Sequence, residues 1–373
     1  MFGRPLLALL LVMGSTTSVA AQDLRLIARG PQDPEWTTGP VQARVGDEVE
    51  VRVALLDRDG TLRADVPRVR WDGRVRRAQG SLPGARQIRF VRIEPRLEHV
   101  ERVPPNPGIA AFSNAVLTGP RHGEWLGYDV LEYEQHAITG EPGVRIEPGR
   151  VVVTAVHPSD RPRDVHGGAG SMWLAAEIVL EGDIALRTPD ARDVDRFGLS
   201  RAVMRISMRE ADDYVGWLST YFHVPNVFGS SGPGRDHQTE RYVGADCADV
   251  LVGARRAMGR TIPYVSVAGL SRVARPISAS LLLRAEGVLV DDAGTPVRLA
   301  WGEHVARGDL LAIGYVHAGE LPRAWDHIGA LVRDDGDGSL DGDDVLRHMT
   351  HRGLADRTLR QEGEIRVRVW RFE

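Results

Sequence analysis

The 373-residue sequence predicts two halves of different class: an all-β sandwich of immunoglobulin-like character, then an α+β half. Two observations carry this. From about residue 23 to 207 apolar residues recur mostly with period two between turn signals, with no sustained helical period. Near residue 208 the texture changes, and helical spacings come first with alternating runs after them. The expected organisation is a leader at 1–21, a sandwich domain at 22–207 and a second domain at 208–373.

The leader has the three parts of a secretory signal: Arg4, the apolar run Pro5 to Met13, and small residues ending Val19-Ala20-Ala21. The apolar run is far short of the roughly 20 residues a bilayer span needs, so cleavage before Gln22 and export to the periplasm, envelope or exterior are expected. No later stretch is long and apolar enough to span.

In the first half, Val49 to Leu55 alternates and closes on the turn Asp57-Arg58-Asp59-Gly60. Ile88 to Ile93, Val151 to Val156 and Leu174 to Leu180 read as further strands, and Pro104 to Pro107 and His166-Gly167-Gly168 as loops. The Cys and Trp hallmarks of antibody domains are missing, and no catalytic grouping is evident.

In the second half, Tyr214, Trp217, Leu218, Tyr221 and Phe222 mark a helix within Ala211 to Phe222. The loop Phe228 to Gly234 follows, then a helix whose first turn holds Cys247, with Val250, Leu251, Ala254, Ala257 and Met258 on one face and Gly259 ending it. A further helix is predicted over Val265 to Leu283. Strands follow: a hairpin at Val288 to Val297, then Asp309 to Val316, His327 to Arg333 and Ile365 to Val369.

Composition excludes several chemistries. Basic residues number 47 against 51 acidic, and every basic residue is arginine. Without lysine there is no Walker phosphate loop, no Schiff base and no Ser-Lys dyad. Charges of both signs are interspersed, which argues against a nucleic-acid partner.

Cys247 is the one cysteine, and an exported chain with a lone thiol has no intrachain disulfide to make. A helix N-terminus favours the thiolate, whereas the neighbouring carboxylates Asp246 and Asp249 oppose it. A histidine partner is therefore required. His327, opening the strand His327-Ile328-Gly329-Ala330-Leu331-Val332, is the best placed. The turn Arg307-Gly308-Asp309 ahead of the preceding strand would let two adjacent strands carry His327 back over the Cys247 helix.

Gly244-Ala245-Asp246-Cys247, then Arg307-Gly308-Asp309-Leu310-Leu311, then Asp326-His327-Ile328-Gly329 resembles the pattern of the NlpC-type cell-wall peptidases, a papain-like group, in order and separation. The resemblance covers about residues 208 to 370. It implies a papain-like α+β domain that hydrolyses an amide, in a peptidoglycan or peptide substrate, with no cofactor and no metal. Cys247 would be the nucleophile, His327 the general base in an ion pair with it, and His348 the third, orienting residue, with His351 as the alternative. The backbone N–H of Cys247 and a nearby side chain would bind the oxyanion; Asn226 and Asp246 are the candidates at the substrate and oxyanion positions. Two departures stand out. Asp246-Cys247-Ala248-Asp249 replaces Asp-Cys-Ser-Gly, and Val224-Pro225-Asn226 replaces Val-Pro-Tyr. An idle-thiol wall-binding scaffold and a transglutaminase-like acyl transferase are the rival functions.

Asp334 to Asp344 resembles a calcium loop, but its first ligand position is Arg333, which offers no oxygen; it reads better as an acidic, Gly-rich connection, with loosely held Ca²⁺ left open.

Overall fold

The computed structural model describes residues 22–82, 84–97, 112–159, 166–183, 185–316 and 325–373. The leader and Pro104 to Pro107 lie outside the described residues.

Two large sheets form most of the first half. One contains Asp23–Arg29, Val49–Leu56, Arg150–Val153, Val144–Glu147 and Arg68–Trp71; the other contains Tyr133–Ala137, Ala85–Pro95, Gly170–Leu180, Met204–Arg209 and Val41–Arg44. Alternation along Val49–Leu56 turns Val49, Val51, Val53 and Leu55 into a common core with Leu174, Ile178, Met204 and Ile206 of the other sheet. The second sheet is covered on its other face as well. Trp173 and Ala175 point away from Met172 and Leu174 and join a second cluster with Leu218, Phe222, Val250 and Leu251. That double burial explains why Gly170–Leu180 and Met204–Arg209 are buried almost without alternation.

The second half departs from the expected α+β papain-like class. Strands hold 42% of the chain and helices 10%, so it is mostly β throughout. Among the described residues the α-helices are α1 (Tyr214–Ser219), α2 (Gln238–Arg241) and α3 (Cys247–Ala257). The segment Val265 to Leu283 is not an α-helix but a 3₁₀ turn, Val267–Arg272, followed by strands Ala274–Pro276 and Leu281–Leu283. Pro276 cannot continue a helix, and both short strands gain ladder bonds to the last strand, Ile365–Phe372, through Ala274↔Phe372 and Leu281↔Val367. Tertiary pairing overrides the local period here.

An eight-stranded sheet results: seven strands run Leu289–Val290, Leu281–Leu283, Ile365–Phe372, Leu310–Tyr315, His327–Arg333, Val345–Thr350, Gly353–Thr358 with antiparallel neighbours, and Ala274–Pro276 is the eighth, pairing beside Leu281–Leu283 on Ile365–Phe372. The helix α3 lies against one face, where Ile328, Ala330 and Val332 meet Val250 and Leu251. Leu331, Leu346, Leu311 and Ile313 fill a separate core on the other face. No helix among the described residues is long and apolar enough to cross a membrane.

Candidate active site

Cys247 is the first residue of α3, partly buried. Asp246 caps this helix: its Oδ1 accepts from the N–H of Ala248 at 3.0 Å and of Asp249 at 2.8 Å, while its Oδ2 accepts from Gly229 N–H at 2.9 Å. A carboxylate holding three N–H groups is a structural acceptor, so Asp246 does not serve as an oxyanion donor. Asp249 is buried and accepts from Ser230 Oγ at 2.8 Å and Ser231 N–H at 2.6 Å. Burial first, then the Asp246 and Asp249 carboxylates, push the Cys247 thiol well above its ordinary range; the N–H groups of Ile328 and Ala248 pull weakly the other way.

His327 opens its strand and is 6% exposed. Alternation turns Ile328 toward α3, so His327, Gly329 and Leu331 point to the opposite face of the sheet, where His348 and Leu346 of the next strand and Tyr315 also lie, and His327 does not point at the Cys247 helix as the sequence pattern predicts. Gly329 lies directly across from His348, and a Cβ on it would come within 2.8 Å of the His348 Cβ. The missing side chain lets the two rings meet diagonally, with His327 Nε2 2.7 Å from His348 Nδ1. His348 Nε2 lies 3.3 Å from Oε1 of Glu362, whose side chain is 1% exposed. Tyr315 O–H donates to the other oxygen, Oε2, at 2.9 Å.

Burial alone would raise Glu362, but the adjacent His348 imidazole, with help from the Tyr315 hydroxyl, holds it down to about 2, so it is anionic and accepts only. His327 Nε2 and His348 Nδ1 share one hydrogen bond in which either ring could be the donor, and His348 Nε2 meets Glu362 as an ion-pair contact at 3.3 Å without hydrogen-bond geometry. In the tautomer where His327 donates from Nε2, its Nδ1 keeps a free lone pair, which is what a general base requires. Burial, then the His348 imidazole, depress His327 to about 3 against an opposing pull from Glu362. Thiol and imidazole are thus both neutral at rest, not the ion pair the motif resemblance implies. There is no hydrogen bond between them among the described residues; the sulfur meets the strand at the Ile328 N–H, one residue on from His327.

The depressed His327 has a stability consequence. The folded state binds fewer protons than the unfolded chain between about 3 and the ordinary histidine value of 6.5, so stability rises with pH across that window and falls as acid is added. Melting temperature is expected to drop between pH 7 and pH 5, and to drop less in His327→Gln, measured by calorimetry.

Asn226 lies where the loop before the Gly-rich segment meets the end of the sheet, and its Nδ2 donates to the Thr350 carbonyl at 2.8 Å. One amide hydrogen remains for a ligand. His351 makes no bond to the relay but lines the same small cavity as His327, His348, Tyr315 and Glu362, a cavity that Cys247 does not line; of the two alternatives for the third residue it is His348 that hydrogen-bonds His327. Glu362 was not foreseen from the sequence. It ends a 3₁₀ turn, Leu359–Glu362, and the Thr358/Gln361 capping box that opens this turn is the one local signal marking it.

In the acidic loop, Asp334, Asp335 and Asp337 form one close group and Asp335, Asp341 and Asp343 another. Several of these carboxylates accept the loop's own N–H groups: Asp334 from Gly336 and Gly338, Asp337 from Ser339, and Asp341 from Asp343. Buried Asp344 is committed to the N–H groups of Asp335 and Asp341 and to the Trp301 indole.

No protein-family model, no curated protein and no solved structure matches this chain.

Proposed function

We propose that this protein is an exported cysteine hydrolase that cleaves an amide bond, with Cys247 as nucleophile, His327 as base, His348 as its orienting partner and Glu362 as the anion beside His348. The observation that carries the reading is the buried His327–His348–Glu362 relay at the strand edge where the lone thiol arrives. Such a relay has no packing rationale, because two buried imidazoles and a carboxylate cost desolvation that apolar residues would avoid.

The neutral resting pair supports proton transfer concerted with attack. The side chain of His327 points to the sheet face away from α3, so for attack Cys247 Sγ would have to reach His327 Nδ1 around the start of the strand; its proton would then pass to that nitrogen as Sγ bonds to the carbonyl carbon, with the N–H of Cys247, which has no intrahelical acceptor at this position, offered to the developing oxyanion. Collapse breaks the C–N bond, and His327 returns the proton to the departing amine. Water then attacks the thioester, giving a proton to His327; the C–S bond breaks, the acid leaves and Cys247 regains its proton.

The motif order shared with NlpC-type peptidases supports a peptidoglycan stem peptide as the amide. Purified muropeptides incubated with the mature protein are expected to yield new amine and acid termini by mass spectrometry, and Cys247→Ala none. Identical profiles would remove the enzyme reading and leave an exported binding scaffold. Products joined to an added amine would make the protein an acyl transferase.

A further inference from the structure

A second site lies at the opposite end of α3, about 16 Å along the helix from Cys247 at 1.5 Å per residue. A cavity of about 390 Å³ opens there between the sandwich and the helices, lined on one side by Gln42 and Arg205 and on the other by Tyr242, Glu240, Arg256 and Arg260. Alternation along Met204–Arg209 explains how an arginine comes to face it. Met204, Ile206 and Met208 enter the sandwich core, so Arg205, Ser207 and Arg209 emerge on the other face. Ser207 is satisfied by Ser171 Oγ at 2.6 Å, and Arg209 by Asp212 at 2.7 Å.

Arg205 has no such partner. It is 8% exposed, its Nε is buried without a hydrogen bond, and among the described residues no carboxylate pairs with it. Its guanidinium stacks at 3.8 Å on the Tyr242 ring, which in turn stacks on Tyr221 at 4.2 Å. A ring face attracts the cation but accepts none of its five in-plane N–H groups. The cavity's one carboxylate, Glu240, is held by Arg256 Nε at 2.6 Å. Three guanidinium groups therefore face one carboxylate, and the partial negative charge of the α3 C-terminus is too small to balance the remainder. A planar fork with free donors in a cavity of ligand size matches a carboxylate or phosphate group.

We infer that this cavity binds a small oxyanion, a carboxylate or phosphate group, through Arg205 with Arg256 and Arg260 at its rim. The inference is independent of the hydrolase reading. It is tested by calorimetric melting and isothermal titration of the full mature protein with inorganic phosphate and with acetate, against chloride at matched ionic strength. At least one oxyanion is expected to raise the melting temperature and bind one per chain, phosphate alone assigning a phosphate ligand and acetate alone a carboxylate. Arg205→Met, which keeps the apolar stem, should weaken binding by about tenfold or more, the loss expected for a charge-assisted fork. Should that variant not fold, Arg260→Gln at the exposed rim is expected to weaken binding by a smaller factor. Equal responses to phosphate, acetate and chloride in the wild type, or unchanged oxyanion binding in the folded variants, would overturn the assignment.

Discussion

His327→Ala is expected to lower kcat/KM for amide cleavage by about 10³-fold, within the 10²- to 10⁴-fold range that a positioned acid–base supplies. Glu362→Gln should cost less, about 10- to 100-fold, because it removes the charge that orients the relay and leaves the base in place. A purely structural role for Glu362 predicts loss without a change in pH dependence. A positioning role predicts more: the Glu362 anion raises His327, so its removal should move the acid limb of the kcat/KM profile to lower pH. An acid limb that stays where it is would count against the relay.

The second large effect is on stability. Arg347 is 3% exposed and forms two bidentate pairs, with Glu210 at 2.9 and 3.0 Å and with Asp356 at 2.7 and 2.8 Å. It also donates to the Val215 carbonyl of α1 at 3.2 Å and stacks on Phe222 at 4.6 Å. Arg347→Met would strand both carboxylates and the carbonyl. Loss of one partner from a buried pair costs about 3 to 5 kcal/mol, and because Glu210 and Asp356 are each about a third exposed the lower end applies, about 3 kcal/mol. For a chain of this size that is a fall in melting temperature of roughly 4 °C, read by calorimetry. A change below about 1 °C would show that water satisfies these groups without the arginine.

Legibility in the sequence followed the range of the forces involved. The strand His327–Arg333 and the α3 start at Cys247 are set by local alternation and by the Asp246 cap, and both stand where the residue pattern puts them. The stretch Val265 to Leu283 misled because its helical spacing is real, but its pairing partner, Ile365–Phe372, is some ninety residues away. The α+β expectation failed with it, since the predicted helix is instead a 3₁₀ turn and two short strands of the sheet. His348 was legible as a candidate only by resemblance; what selects it over His351 is the cross-strand register at Gly329, which no local pattern encodes. Glu362 and Arg205 were invisible for a related reason. Each is an ordinary charged residue by type, and only burial beside particular neighbours gives it meaning.

The sheet holding Gly170–Leu180 and Met204–Arg209 has apolar company on both sides, and Trp173 and Ala175 belong to the same cluster as Val250 and Leu251. Neither half owns a finished outer wall at that boundary. A graft that moved the Cys247 region to another carrier would take along a raw, water-shunning flank unless those strands travelled with it, so the thiol and the sandwich behind it are inherited, and must change, together.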